Sequence, residues 1–392
     1  MKKDFLNLGK QPIANKFLNK GEFDNEYFYD LIVSFDEDTK LVTHSEYVDP
    51  EMMFNDEYVY RGSMSNTMIN HFKEVSNMLV GMYNSAKILE IGSNDGVFLR
   101  NWSTTQAISV EPCGNFAKET NDMGYKTYNE FWNNETAETI LSIHGKQNIV
   151  FAANCMCHIP NLDDAFSSVK KVLAPNGLFM FEDPSLLEMI NRNSFDQIYD
   201  EHPHIFSVIA LKNILERNGL TIVRVDNISV HGGSNRIWAM RTEDFYTIDE
   251  SVEKNIRIEK IFGLDSYETF LGWSDVIQKN KEDLHNLLKK LKENDIRIIS
   301  YGASSKSTTI FNYCDVDDTM IDFILDNTPS KIGKFSPGKH IPVISSTEGI
   351  PEDVDFCFLG AWNFIEEIKK KENEYVSRGG RFITHTPTIK LS

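Results

Sequence analysis

Cysteine is scarce in this chain and never paired at the CxxC spacing of a metal cage or redox centre: the five stand at Cys113, Cys155, Cys157, Cys314 and Cys357. That scatter excludes a disulfide framework and a zinc ribbon. Cys155-Met-Cys157 reads as two small buried hydrophobes at a strand end. No run approaches eighteen apolar residues and no opening stretch has the pattern of an export signal, so neither membrane spanning nor export is predicted, and a cytoplasmic protein is expected. Positive charge is also in deficit, with 40 Lys and Arg against 58 Asp and Glu. Nucleic-acid affinity rests on cations that neutralise many phosphates, so no DNA or RNA partner is expected. A single phosphorylated small molecule is compatible with the same balance.

What is present is a repeated strand-turn-helix grammar. With 392 residues the chain exceeds one ordinary domain, and three parts are predicted. Residues 1–75 form a small β-rich or irregular cap. Residues 76–245 alternate strand-like runs with helical ones, at Lys87–Ile91, Ala107–Val110, Asn148–Ala153, Gly177–Glu182 and Thr221–Val225, which implies a mainly parallel, doubly wound α/β sheet of Rossmann type. The late run after His231-Gly-Gly reads as an antiparallel strand on the edge of that sheet. Residues 246–392 begin with helices whose Leu284, Leu287, Leu288 and Leu291 share one face. They continue as a second α/β unit from Ile296.

The first glycine turn, Glu90-Ile-Gly92-Ser93-Asn94-Asp-Gly96, follows an apolar strand. Gly92 permits the turn and Gly96 a close backbone approach. The spacing is not GxGxxG and the loop is acidic, which suits a cationic ligand without phosphate, such as S-adenosylmethionine (SAM). Glu111, ending the next strand, stands where such folds accept ribose hydroxyls. Asn154 ends the Asn148–Ala153 strand, positioned for the methionine moiety, and His158 faces the neighbouring acceptor space. Tyr199-Asp-Glu201-His202-Pro-His204 packs two imidazoles, two carboxylates and a phenol together, and makes His202 a general-base candidate. The second glycine turn, Gly302-Ala-Ser-Ser-Lys306, lacks P-loop spacing yet offers helix-start donors, hydroxyls and a cation for a diphosphate. Asp326 ends a strand where a ribose-binding acid would sit.

Taken in order, these motifs resemble the three-domain sugar C-methyltransferases of deoxysugar pathways, the tetronitrose and mycarose 3-C-methyltransferase group. Leu8-Gly-Lys-Gln-Pro-Ile-Ala-Asn-Lys-Phe-Leu18, Val48-Asp-Pro-Glu-Met-Met-Phe, Tyr58-Val-Tyr60, Val110-Glu-Pro112, His231-Gly-Gly-Ser-Asn-Arg236, Asn312-Tyr313, Asp326-Asn-Thr-Pro-Ser-Lys331 and Trp362-Asn363 carry the likeness nearly end to end. The resemblance implies that His202 removes the proton beside a ketone, with Tyr199 and Glu201 placing it and His158 and Tyr60 lining the pocket. It implies SAM on Glu90, Gly92, Ser93, Asn94, Gly96, Glu111, Pro112 and Asn154. A nucleotide-diphosphate ketosugar would lie on Ser234, Arg236, Lys306, Thr308, Asn312, Asp326 and Lys331. A monomer or small homo-oligomer is expected. An O-methyltransferase on a nucleotide sugar, or a catalytically silent nucleotide-sugar binder, are the alternative readings. Members of the group generally carry zinc-binding cysteines at their N-terminus, whereas this chain has Phe35-Asp-Glu-Asp-Thr-Lys-Leu41 where the second pair would fall, so no zinc is expected. Ser307 and Thr308 replace the group's Gly and Asn after the lysine.

Overall fold

The computed structural model describes residues 1–83 and 85–392, and its strands form three sheets. The first is antiparallel and joins Lys2–Pro12, Phe28–Asp36 and Val42–His44 to His204–Ile205, a short strand from far along the chain. Leu31, Val33 and Phe35 point one way from the second strand at period two, and all are buried. They pack with Phe5 on Phe270, Trp273 and Ile277 of helix Tyr267–Lys292; the Phe35 and Phe5 rings lie 4.7 and 5.2 Å from that of Phe270. The cap therefore closes by sharing a core with the C-terminal part.

The central sheet has seven strands, in spatial order Leu220–Ile228, Ser234–Arg241, Leu173–Pro184, Gln147–Ala153, Ile88–Ile91, Ala107–Val110 and Lys126–Tyr128. Every residue of Ile88–Ile91 is buried, as befits a parallel strand covered on both faces. Ile88, Ile149 and Phe151 meet Met68, Phe72, Val75 and Leu79 of helix Asn66–Met82 on one side. Leu89, Val150 and Ala152 meet Leu162, Phe166 and Val169 on the other. One expectation is corrected here. Ser234–Arg241 is antiparallel, but it is not the edge: it inserts between Leu173–Pro184 and Leu220–Ile228. Its Ile237, Trp238 and Ala239 are buried in succession, a pattern an edge strand does not need, whereas Arg224 and Asn227 leave Leu220–Ile228 fit for the rim.

The third sheet runs Val343–Ser345, Ile324–Asp326, Ile298–Tyr301, Phe356–Leu359, Arg381–Thr384 and Lys390–Leu391, with the first five parallel. Val343–Ser345 went unanticipated because only one of its three residues is buried. Both parallel sheets present strand ends and following glycine turns to one common space, with the cap as its third wall. Among the described residues no helix is long and apolar enough to cross a membrane.

Glu259, on helix Glu250–Phe262, links that helix to the start of helix Val208–Arg217: its two oxygens accept from Val208 N (2.8 Å) and Ile209 N (2.9 Å). Burial pushes its carboxyl up to about 7. Glu259→Ala leaves two buried amide donors without acceptors, an expected loss of about 2–4 kcal/mol read as a lower urea midpoint. Glu259→Gln keeps one carbonyl acceptor and should lose less than half as much.

Candidate active site

The cofactor-type turn folds as its glycines require. Gly92 and Gly96 lie at φ +73° and +80°, and Asn94 at +48°. A methyl group on Gly92 would stand 2.7 Å from Cys155 Sγ, and one on Gly96 2.9 Å from Thr120 Cγ2. Glu111 accepts from the backbone of Asn94 (2.6 Å) and Cys113 (2.8 Å), which leaves oxygen lone pairs for further donors. Glu90 Oε2 and Ser93 Oγ are buried without partners. Burial and the neighbouring acids Glu111 and Asp95 hold the Glu90 carboxyl well above the carboxylate range. Such a set of unsatisfied acceptors around a turn that excludes Cβ atoms fits a ligand with an ammonium, a sulfonium and ribose hydroxyls. Residues 58–63 strap over the turn: Asn94 holds Gly62 N (3.0 Å) and Tyr60 O (3.0 Å), Ser63 hydrogen-bonds Asp95, and Arg61 pairs with Glu119 at 2.8 Å.

Residues 196–205 form the floor. His202 Nδ1 faces the Gln197 carbonyl at 2.8 Å and must carry the proton, so Nε2 holds the lone pair and accepts from Tyr199 OH at 2.9 Å. Burial, reinforced by the positive charge of Lys306, drops His202 to about 4; it is a free base at neutral pH. Its ring stacks on His158 (5.1 Å), which stacks in turn on Phe54 (5.3 Å). His158 Nε2 is buried and unpartnered, and burial keeps this imidazole neutral. Glu201 is not where an orienting carboxylate would be. It turns from His202 to accept from Asn15 Nδ2 (2.6 Å) and Tyr58 OH (2.7 Å), while Asp200 accepts from Ala14 N at 3.0 Å. Burial raises both carboxyls, and Glu201 raises Asp200 further. Orientation of His202 falls to Gln197 and Tyr199 instead.

On the far side, Ala303 N donates to Asp326 Oδ2 (2.7 Å) and Thr328 N to Oδ1 (2.8 Å), so the acid pins its turn. Lys331 Nζ donates to Ala303 O (2.7 Å) and lies 4.8 Å from the Phe17 ring centroid. Lys306 Nζ sits 5.4 Å from the Trp362 ring centroid and 3.4 Å from Asn363 Oδ1. One cavity of ≈ 770 Å³ connects all three regions. Of the anticipated residues, Tyr60, Glu90, Gly92, Ser93, Asn94, Glu111, Pro112, Asn154, His158, Tyr199, Glu201, His202, Lys306, Asp326 and Lys331 line it.

Five do not. Gly96 supports the turn from behind. Arg236 is spent inside the protein, on Glu182 (2.6 Å), whose other oxygen pairs with His71 (2.6 Å). Ser234 Oγ donates to Val230 O (3.1 Å), Thr308 to Ala14 O (3.0 Å), and Asn312 to Thr308 O (2.8 Å) and Pro337 O (3.1 Å). The last two lie on the inward face of helix Ser305–Tyr313. Sequence reasoning missed Asn15, Gln197 and His231 as site residues. His231 had a signal in the two glycines that follow it.

Comparison with known proteins finds matches to each of the three parts. Residues 73–225 match the methyltransferase domain family, residues 229–387 the C-methyltransferase C-terminal domain family, and residues 1–54 a putative zinc binding domain. C-methyltransferase NovU of Streptomyces niveus is 29% identical over 394 residues, which span 99% of this chain and 94% of that protein. Among solved structures, the magnesium protoporphyrin IX methyltransferase of Synechocystis PCC 6803 with bound SAM is 13% identical, covers 44% of this chain and 79% of its own, and has a TM-score of 0.34. A SAM-dependent methyltransferase of Anabaena variabilis is 14% identical over 45% and 86% of the two chains, at a TM-score of 0.37. Residues 1–54 contain no cysteine and a single histidine, His44, so the donor set does not fit a thiolate zinc cage. Among the described residues the one metal-type cluster is Cys157, His158 and His202, with ligand atoms within 4.8 Å of one another; both His202 nitrogens there are already engaged.

Gly92→Ala meets two obstacles, the Cys155 thiol and the left-handed backbone, the latter about 1–2 kcal/mol. SAM affinity measured by calorimetry should fall more than tenfold. Cys155→Ala in the same chain removes the Sγ clash, leaving Cβ 3.0 Å away, and should restore part of the loss, not all of it.

Proposed function

We propose that this chain, which matches methyltransferase domain families and C-methyltransferase NovU, is a SAM-dependent C-methyltransferase that methylates C3, the carbon beside the ketone, of a nucleotide-linked 4-keto-deoxysugar. The single observation that carries the reading is the common cavity: an acidic cofactor-type turn, a lysine-bearing glycine turn and His202 all line it. When bound, SAM supplies an electrophilic methyl on a positively charged sulfur.

His202 Nε2 takes the proton from the carbon whose C–H the ketone acidifies. The new charge on the imidazolium is met by the Gln197 carbonyl at Nδ1 and by the enolate left on the sugar. SAM held on Glu111 and the Gly92 turn would supply the methyl that such an enolate carbon accepts, its sulfur leaving with the C–S bonding pair. Tyr199 OH, released from Nε2 when substrate enters, is a donor in reach of the developing oxyanion, and His158 Nε2 is a second unpartnered group on the same wall. Alignment and donors set in a water-poor site supply the rate. Lys306 and Lys331 offer the positive charge that a nucleotide diphosphate needs.

A panel of dTDP-, GDP-, CDP- and UDP-linked 4-ketosugars should reveal one substrate that gains a single methyl mass. His202→Gln should reduce turnover by 10²-fold or more and abolish uptake of solvent deuterium at C3, with SAM affinity preserved. Retained turnover would move the base to His158. Because burial lowers the His202 pKa, its active, unprotonated form persists as pH falls through 6.5 and is lost near 4. The acid limb of kcat/KM should therefore lie near pH 4; a limb at 6.5 would assign the base to a solvated imidazole.

A further inference from the structure

A third imidazole lines the cavity without a use in the reaction described above. His231 lies in the turn before strand Ser234–Arg241, at φ +52°, ψ +25°, a left-handed conformation that costs a residue with a Cβ about 1–2 kcal/mol. Its side chain lines the cavity, and its Nε2 is buried with no partner. A strained backbone that delivers an unsatisfied nitrogen into a binding space is a feature that packing alone does not call for.

What lies opposite identifies the ligand chemistry. Gly232, at φ +87°, packs directly on the Trp362 indole, so closely that a methyl group there would stand 2.7 Å from Cη2. The indole is fixed by its own N–H to Asp196 Oδ2 at 2.6 Å. Lys306 Nζ rests against the same ring, 5.4 Å from the centroid, and makes no ion pair with a carboxylate among the described residues. One tryptophan thus packs against the glycine that follows His231 and against the Lys306 ammonium. The field of Lys306 is the foremost charge acting on His231, and burial with that field keeps the imidazole neutral.

We propose that His231 is a phosphate-binding residue: its Nε2–H donates to a non-bridging oxygen of the substrate diphosphate, which Lys306 Nζ also holds. This rests on the reading that the substrate is nucleotide-linked. The pair would set the distance between the diphosphate and His202, since the imidazole belongs to the unit that carries the methyl site and the ammonium to the unit that carries the nucleotide.

The test is calorimetric titration of the SAM-loaded protein with dTDP, UDP, GDP and CDP, followed by the tightest of the four on His231→Asn, Lys306→Met and the double variant. Asparagine tolerates the left-handed backbone, so the turn survives while the imidazole is removed. His231→Asn should weaken the diphosphate about ten- to hundredfold, the worth of one hydrogen bond to a charged group, with SAM affinity and Tm unchanged. Because both groups would hold one phosphate, the double variant should lose at least threefold less than the product of the single losses. Unchanged diphosphate affinity in His231→Asn, multiplicative losses, or a loss matched by equal losses in SAM affinity and Tm would overturn the inference and leave the nucleotide-sugar reading standing. Failure of the wild-type protein to bind any of the four diphosphates would overturn both.

Discussion

The position of one decapeptide, residues 196–205, governs the rest of the structure, because all three sheets hold it. Asp196 accepts from Trp362 of the C-terminal unit at 2.6 Å and faces the buried His385 at 3.4 Å. Asp200 and Glu201 accept from Ala14, Asn15 and Tyr58 of the cap and strap. His204 Nδ1 meets Thr43 Oγ1 at 2.9 Å, and His204–Ile205 completes the antiparallel sheet. Carboxylates are rarely buried without partners, so each of these acids is worth burying only if the three units close around it together. A displaced unit would strand a charge at a penalty of several kcal/mol. The consequence for chemistry is that His202, in the middle of the segment, inherits a fixed position from contacts that it does not itself make.

Charge is then sorted across the cavity. The cofactor wall carries Glu90, Asp95 and Glu111, whose mutual repulsion adds to burial in raising Glu90, and a cationic ligand relieves that repulsion on binding. The opposite wall carries Lys306 and Lys331, both lowered by burial, and an anionic ligand relieves that one. In a chain of formal charge −18, two lysines withdrawn into one cavity are a local reversal of sign, and low dielectric makes it count for more than the same charges on the surface. On the proposed reading, the acidic wall suits the cationic methyl donor and the lysine-bearing wall the anionic acceptor.

How far this could be read from the sequence depended on whether a residue's role is set by its neighbours in the chain or by its partners across space. Gly92 and Glu111 follow strand ends and Lys306 starts the helix after Ile298–Tyr301, where the βα grammar directs them to the crevice; His202, in the loop before the short strand His204–Ile205, was legible from its cluster of titratable neighbours instead, and all four line the cavity. Arg236 and Ser234 sit on a strand, and their facing depends on which strand is next door. Insertion of that strand beside Leu173–Pro184 puts Arg236 opposite Glu182, and a buried acid captures it. Thr308 and Asn312 belong to the right helix, but they share its inward face, where their polar atoms cap backbone of the cap and of the Pro337 turn. Glu201 misled for a similar reason: adjacency in the chain suggested that it orients His202, yet side chains of consecutive residues diverge, and its partners come from residues 15 and 58.

The stacked rings beside the base impose a last constraint. His158 and His202 face each other at 5.1 Å in a dry pocket, where two imidazolium charges would repel strongly. Burial first, and the neighbouring His202 second, hold His158 well below its ordinary range. Under the proposed mechanism a single proton enters the stack, and with Gln197 fixing the tautomer of His202 that proton goes to His202. On that reading His158, kept neutral by burial, stays so through the cycle. A neutral imidazole can still give or accept a hydrogen bond through Nε2, but it cannot compete for the proton, so general-base and polar-contact roles stay divided between two chemically identical side chains by their surroundings alone.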